Sequence, residues 1–460
     1  MIRMRAAKRD DIPAVAELWC HAFPGHRTFE ERVRMLERTG TYGGLQTVTV
    51  ADDGGIAGAY KLMRLTQYVT GVALPAAGLA AVAVSPAHRR VGLGKRMCAH
   101  ALREARERGD VLSTLYPFRP AFYASLGWGL FARLHRHRFR TSALPEGERR
   151  RSRVRLAEPG DLARIADCYD RVAARSNGPL RRNDGLWQNR LQGGPAARTG
   201  RTRDTGGPAA WRAHRAGLHV FLHDDGAGYL LARYRAGPPD RLALHIVELI
   251  AERDDVYAEL LGWVAGQQDQ WPVTLYDARP AERFEHRLAQ PRTPGEPNRR
   301  RLWFPTARVL QGPMLRIVDI EGAFAARRWW GAPPEMAATT ARTAAPATSG
   351  TPAAAGPSAP SGSGRDRCAL RLEVDDPELP ENRGPWEIEI VGQEMEMRPA
   401  AGGAVDAALS LDASALAGIY AGELSPGEAV RLGRARVDGD IRLPDRVFAA
   451  FEKPWLLDEF

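Results

Sequence analysis

Residues 89 to 95 read Arg-Arg-Val-Gly-Leu-Gly-Lys, a pattern suited to holding a pyrophosphate. Gly92 and Gly94 lack the Cβ atoms that keep an anion away from the backbone, and the first amides of a following helix point outward without internal partners. Those donors, the helix dipole, Arg89 and Arg90 would converge on one spot. A glycine pair by itself reads equally well as an ordinary strand-to-helix turn, so the flanking elements have to decide.

Upstream, Gly78-Leu79-Ala80-Ala81-Val82-Ala83-Val84 is a continuous apolar run of strand length ended by Pro86, as in a strand covered on both faces. Downstream, Leu93, Met97, Ala101, Leu102 and Ala105 recur at helical spacing until Gly109, and a second apolar strand follows at Val111 to Tyr116. The order strand, anion loop, helix, strand also suits a dinucleotide fold. That fold needs Gly-x-Gly-x-x-Gly and an acidic residue after the second strand, and neither is present.

Composition narrows the classes. A chain of 460 residues with 44% hydrophobic content has material for about three domains. Cys20, Cys98, Cys168 and Cys368 stand far apart, so reduced thiols are expected and neither a metal site nor a redox pair. The charged start, Met-Ile-Arg-Met-Arg-Ala-Ala-Lys-Arg-Asp, lacks the apolar core of a signal peptide. No stretch reaches the roughly 20 apolar residues of a membrane span, and the cytoplasm is the expected compartment. The net charge of +10 concentrates in Arg133 to Arg155 and Arg181 to Arg203. Without interleaved aromatics or a recognised binding module, these runs read as solvated surface and attraction for a polyanionic ligand rather than as a nucleic-acid site.

One design occurs twice. Met4 to Ala16 and Val154 to Ala166 each open with an alternating strand, then a turn, an Asp suited to capping (Asp11, Asp161) and an apolar helical stripe, at a constant offset of 150. In the second copy the strand Leu242 to Ile250 runs into Ala251-Glu252-Arg253-Asp254-Asp255-Val256-Tyr257, where carboxylates stand in place of the glycine loop. That copy should bind no pyrophosphate. Gly193 to Ala210 reads as a mobile loop, and Ala337 to Gly364, built almost wholly of Ala, Thr, Pro, Ser and Gly, as a disordered insertion.

Arg89 to Gly94 behind Val82-Ala83-Val84 resembles the acetyl-CoA loop of the GCN5-related N-acetyltransferases. The run Ala81 to Arg138, with Phe122-Tyr123-Ala124-Ser125-Leu126-Gly127-Trp128-Gly129, is similar to the actinobacterial enhanced intracellular survival acetyltransferases. The likeness extends to Asp376-Pro377-Glu378-Leu379-Pro380-Glu381-Asn382 and to Phe460 at the end. It implies an α/β (α+β) chain of tandem acetyltransferase-like domains, catalytic over 1–148 and degenerate over 149–300, followed by a sterol-carrier-like domain over 301–460 that holds the insertion near 337–364. In that scheme Met314 to Ile320 and the helix from Gly322 to Trp330 begin the third domain.

The resemblance also implies a chemistry, with acetyl-CoA as cosubstrate and no metal. Acetyl would pass to a primary amine, of an aminoglycoside-like molecule or a lysine side chain, by direct attack in a ternary complex. One acetyl-CoA per chain would be bound by Val82, Ala83, Val84, Arg90, Val91, Gly92, Leu93, Gly94, Lys95, Phe118 and Arg119. Phe118 and Arg119 depart from the small polar pair common there. Tyr123, which on its residues alone is a packing aromatic beside Phe122, becomes the general acid for the departing thiolate, and the terminal carboxylate of Phe460 the base. Asp458 and Glu459 are the candidates for drawing in an ammonium, and solvated terminal charges account for them equally well. The partners implied are the amine acceptor and further copies of the chain, a homohexamer. The alternative reading is a noncatalytic acyl-CoA or lipid-binding protein.

Overall fold

The structure is a computed structural model and describes residues 2–25, 27–40, 46–145, 153–191, 218–235, 242–295, 303–327, 367–391 and 394–460. The glycine-rich loop expected at Gly193 to Ala210 and the insertion expected at Ala337 to Gly364 lie outside the described residues.

Among the described residues three sheets organise the chain. β1 (Arg3–Ala6), β2 (Gln46–Asp52), β3 (Ile56–Val69), β4 (Val72–Val84), β5 (Leu112–Leu115) and β6 (Gly129–Leu130) belong to the first sheet. β7 (Arg133–Arg140), β8 (Val154–Leu156), β9 (Leu218–His223), β10 (Gly228–Arg235), β11 (Ala243–Ala251), β12 (Val273–Ala278) and β13 (Ala307–Gln311) form the second. β14 (Met314–Ile317) returns to the first, between β5 and β6. β15 (Arg367–Asp375), β16 (Trp386–Val391), β17 (Glu394–Pro399), β18 (Ala407–Asp412) and β19 (Ala435–Gly439) make the third, in the order β17-β16-β15-β18-β19.

The first two sheets share a plan. Each runs through four antiparallel strands to one parallel pair, β4 with β5 and β11 with β12, the geometry that requires a crossover helix. The crossovers are α3 (Leu93–Glu107), after α1 (Ile12–Ala22) and α2 (Phe29–Gly40), and α7 (Asp254–Ala265), after α4 (Pro120–Ala124), α5 (Leu162–Ala173) and α6 (Asp184–Leu191). The 150-residue offset is exact in the openings. Arg5 forks onto Asp11 at 2.6 and 2.9 Å, Arg155 onto Asp161 at 2.7 and 2.8 Å, and each Asp also accepts a backbone N–H three residues upstream. The apolar stripes behind them, Val15, Ala16, Leu18 and Trp19 in α1 and Ile165, Cys168, Tyr169 and Val172 in α5, are buried.

The sheets exchange strands across the bounds read from sequence. Arg133–Arg140, expected inside 1–148, pairs with β12 and β13 of the second sheet. Met314–Ile317, expected to open the third domain, pairs with Leu112–Leu115 of β5 in the first. The cause is satisfaction of strand edges: β14 is buried over all four residues and closes β5 on the side away from β4. The helix Ile320–Ala326 does join the third region, where Phe324 packs against Tyr420 and Phe448. The Asp376–Asn382 segment sews β14 to it. Asp376 binds the buried Arg316 of β14, and Asn382 Nδ2 donates to the Ile317 and Val318 carbonyls.

Candidate functional site

β4 and β5 stay paired for only three residues each, Ala76–Gly78 with Leu112–Thr114. Three residues past the last pair, β4 breaks its ladder with β3. Lys61 faces Ala80 and Ala59 faces Ala83, so Ala81 and Val82 together oppose Tyr60, with Ala81 at φ +52°. This is a β-bulge, which leaves backbone polar groups of β4 outside the sheet ladder next to an opening cleft. Val82 and Val84 border the same apolar cluster as Tyr123, Trp128, Leu93 and Met97.

The loop after β4 is pinned at its base and open at its tip. Ser85 N–H donates to Ala57 O at 2.9 Å, and His88 reaches Asp53 at 2.7 Å. Arg90 at φ +64° and Gly92 at φ +79° then turn the chain through the left-handed region into α3, whose first residue, Leu93, is buried. A Cβ added at Gly92 would meet nothing within 4 Å, and one at Gly94 only the Phe122 ring at 3.5 Å and Val84 at 3.8 Å. The protein's own packing therefore does not demand glycine at these two positions, although φ does at Gly92. What remains is a clear approach to the amides at the head of a helix, with Arg90 and Lys95 exposed beside it and Val91 65% exposed at the tip. These residues fit the diphosphate of a coenzyme A.

Pro120 at the first position of α4 starts a single short helix, and Gly127 at φ +89° ends the turn after it. Tyr123 points inward, 4% exposed, with its ring edge-on to Phe122, Phe118 and Trp128 at centroid distances of 5.0, 5.9 and 6.1 Å. Burial, and secondarily Cys98, pushes its phenol above the usual value, so it keeps its proton at neutral pH. Arg316 holds this turn from β14 by donating to Leu126 O at 3.2 Å. Phe118 is 70% exposed and Arg119 is also exposed, at the rim of this aromatic group.

Phe460 is partly buried beside a different apolar cluster, that of Met63, Leu186 and Leu456. Its ring lies 5.6 Å from that of Tyr116, one residue past β5, and Tyr116 OH donates to Asp458 O at 2.7 Å. Sequence reading missed Tyr116, whose only signal was its place at a strand end. It also misjudged Asp458. That carboxylate is 2% exposed and bound to Arg182 at 2.6 Å, so it is taken up by the fold and does not draw in an ammonium; Glu459 stays exposed. At the second copy's equivalent of the loop, Arg253 ties up Asp225 and Asp255. Among the described residues no group of three or more His, Cys, Asp or Glu could hold a metal ion, and no helix is long and apolar enough to cross a membrane.

Residues 3–131 match the family profile of the acetyltransferase (GNAT) domain, and residues 359–457 that of the sterol carrier protein domain. The N-acetyltransferase Eis of Mycobacterium tuberculosis is 29% identical over 293 residues, 61% of this chain and 65% of that relative. The matched part thus spans just under two thirds of the relative's length. An uncharacterized N-acetyltransferase of Streptomyces avermitilis is 34% identical over 135 residues, 28% of this chain and 32% of that relative. Among solved structures, Eis1 from Mycobacterium abscessus has a TM-score of 0.72 at 18% identity, and a GCN5-related N-acetyltransferase from Anabaena variabilis 0.73 at 19%, each covering 100% of both chains. These last two likenesses establish the fold.

Proposed function

We propose that this chain is a GCN5-related N-acetyltransferase of the Eis family and that it moves acetyl from acetyl-CoA to a primary amine by direct attack in a ternary complex, a reading supported by the acetyltransferase-domain match and the likeness to Eis. The observation that carries the reading is the open left-handed turn Arg90–Gly94 at the head of α3, directly downstream of the bulge at Ala81 and Val82.

Bound acetyl-CoA would supply an activated thioester. Arg90, Val91, Gly92, Leu93, Gly94 and Lys95 hold its diphosphate at the helix head, and Val82 to Val84 flank the arm that leads to the thioester. The bulge frees backbone groups of β4 from the sheet ladder beside the cleft, and an amide donor among them would stabilise charge on the carbonyl oxygen. Tyr123, protonated in its apolar setting, hands its proton to the departing sulfur. Phe118 and Arg119 border the mouth.

The Phe460 carboxylate takes the proton of the attacking amine. In water that transfer, from an ammonium of pKa about 10.4 to a carboxyl of about 3.5, is uphill by about 9 kcal/mol. Desolvation raises the acid's pKa and lowers the amine's, and a relay water narrows the gap further. The acceptor class is an amine of the aminoglycoside or lysine kind.

The test is thiol release from acetyl-CoA in the presence of a panel of polyamines, aminoglycosides and lysine peptides. Amine-dependent release with an acetylated product supports the reading. Tight acetyl-CoA binding with no release above background across the panel replaces it with the noncatalytic acyl-CoA-binding alternative.

A further inference from the structure

The last residues of the chain follow the third sheet but are gripped by the second unit. Trp455 N–H donates to Asn177 O at 3.0 Å, and Arg190 Nη1 donates to Leu457 O at 2.9 Å. Asp458 then enters a closed charge cluster. Its Oδ1 accepts from Arg182 Nε at 2.6 Å and its Oδ2 from Tyr169 OH at 3.1 Å. The Arg182 side chain is fully buried, and its other two nitrogens fork onto Glu248 at 2.8 and 2.7 Å. Arg190 Nε adds a second cation on Glu248 at 2.7 Å, so two guanidinium groups balance two carboxylates. Two residues beyond this cluster, Phe460 meets Tyr116 just past the end of β5.

A buried ion cluster of this kind is a poor source of stability, because apolar residues of the same volume do as well, but it enforces one register. A one-residue slip of the tail would leave the Arg182 Nε without its acceptor inside the protein, which packing alone would not penalise so sharply. The planar guanidinium is also fixed from its face, 3.7 Å above the Tyr169 ring.

We propose that Arg182 is a positioning residue for acetyl transfer. It touches no substrate and acts through Asp458, setting where Phe460 sits at the end of β5. The inference rests on the reading above, in which Phe460 serves the acetyl-transfer site.

The test uses Asp458→Asn in the full chain, which keeps the side chain's size, removes its charge and lies in the tail rather than in a core strand. Phe460 should be released by carboxypeptidase about 10-fold faster or more. The kcat for amine acetylation should fall about 10- to 100-fold, as for a small misplacement of a reacting group, while the KM for acetyl-CoA stays unchanged. Arg182→Lys, which keeps charge and loses the fork, should fall between. In protein lacking Phe460, Asp458→Asn should cause no further loss. The proposal is overturned if Asp458→Asn releases Phe460 no faster, or if it lowers kcat as much in the absence of Phe460 as in its presence. Removing Phe460 alone without any loss of rate would instead sink that residue's catalytic role, and carboxypeptidase protection would still decide whether Arg182 holds the tail.

Discussion

The Tyr116 hydroxyl donates to the Asp458 backbone carbonyl across 2.7 Å and so links the end of β5 to the chain's last residues, 342 positions away. Its ring also stacks obliquely on Phe460. Tyr116→Phe keeps the ring and deletes the donor. A single net hydrogen bond of about 1 kcal/mol should translate into a fall in turnover of about fivefold, with acetyl-CoA binding unchanged. Steady-state kinetics with any accepted amine checks this, and an unchanged rate would show that the stack alone is sufficient.

Gly178 offers a sharper way to lift the tail. It sits at φ +104°, and a Cβ there would lie 2.5 Å from Trp455 O and 2.7 Å from Trp455 N, both backbone atoms. Gly178→Ala should therefore destabilise the protein by about 1–3 kcal/mol and expose the buried Trp455. Thermal melting and tryptophan fluorescence would report it; a variant with wild-type melting and emission would contradict the close approach.

At the anion loop the expectation concerns affinity. Gly92→Val places a branched side chain in open space but at φ +79°, which strains the turn by about 1–3 kcal/mol, and the side chain keeps coenzyme A off the amides. Calorimetry should show at least about 10-fold weaker acetyl-CoA binding, equal to 1.4 kcal/mol. Asp254→Ala in the second unit should leave that affinity alone. Equal affinities in all three proteins would remove the loop from the site.

Tyr123→Phe removes one hydroxyl from a packed ring. If the phenol is the proton donor, kcat should drop about 10²- to 10⁴-fold with cofactor binding intact. A rate within a factor of two of the wild type would make Tyr123 a packing residue.

Acid should loosen the tail by a calculable route. Burial alone would raise the Glu248 pKa, yet Arg182 and Arg190 outweigh it and bring the carboxyl from 4.5 down to about 2. A folded value below the unfolded one adds stability that is complete above pH 4.5 and is lost as the pH falls toward 2. The melting temperature of the wild type should thus exceed that of Glu248→Gln by a constant margin at neutral pH, and the margin should shrink between those two values. A margin that does not change on acidification would mean that the cluster carries no such linkage.

Much of the first unit was legible because its signals are local. The apolar run to Val84, the Gly92 and Gly94 turn and the helical stripe from Leu93 each declare themselves within a few residues, and the structure keeps all three. The opening of the second unit was legible from its offset. The bulge was not, because Ala81 takes φ +52° without a glycine to mark it. Nor was the sheet membership of Arg133–Arg140 and Met314–Ile317, since a short apolar strand carries no record of which edge it will join. Asp458 shows the same limit at the site itself. A carboxylate near a chain end resembles a solvated charge until the Arg that meets it, 276 positions away, is known.

The exchange of β7 and β14 has a consequence for how the protein is made. The first sheet cannot close between β5 and β6 until Met314–Ile317 has been synthesised, roughly 180 residues after β6. At about 5–20 residues per second, the nascent first unit waits about 10–40 s with the β5 edge open. Its helix-lined half, carrying the anion loop, has all its local contacts before then, whereas the strand that steadies the Tyr123 turn arrives late. The two halves of the candidate site are therefore assembled at different times, and a ribosome-bound chain shorter than about 317 residues holds only the earlier one.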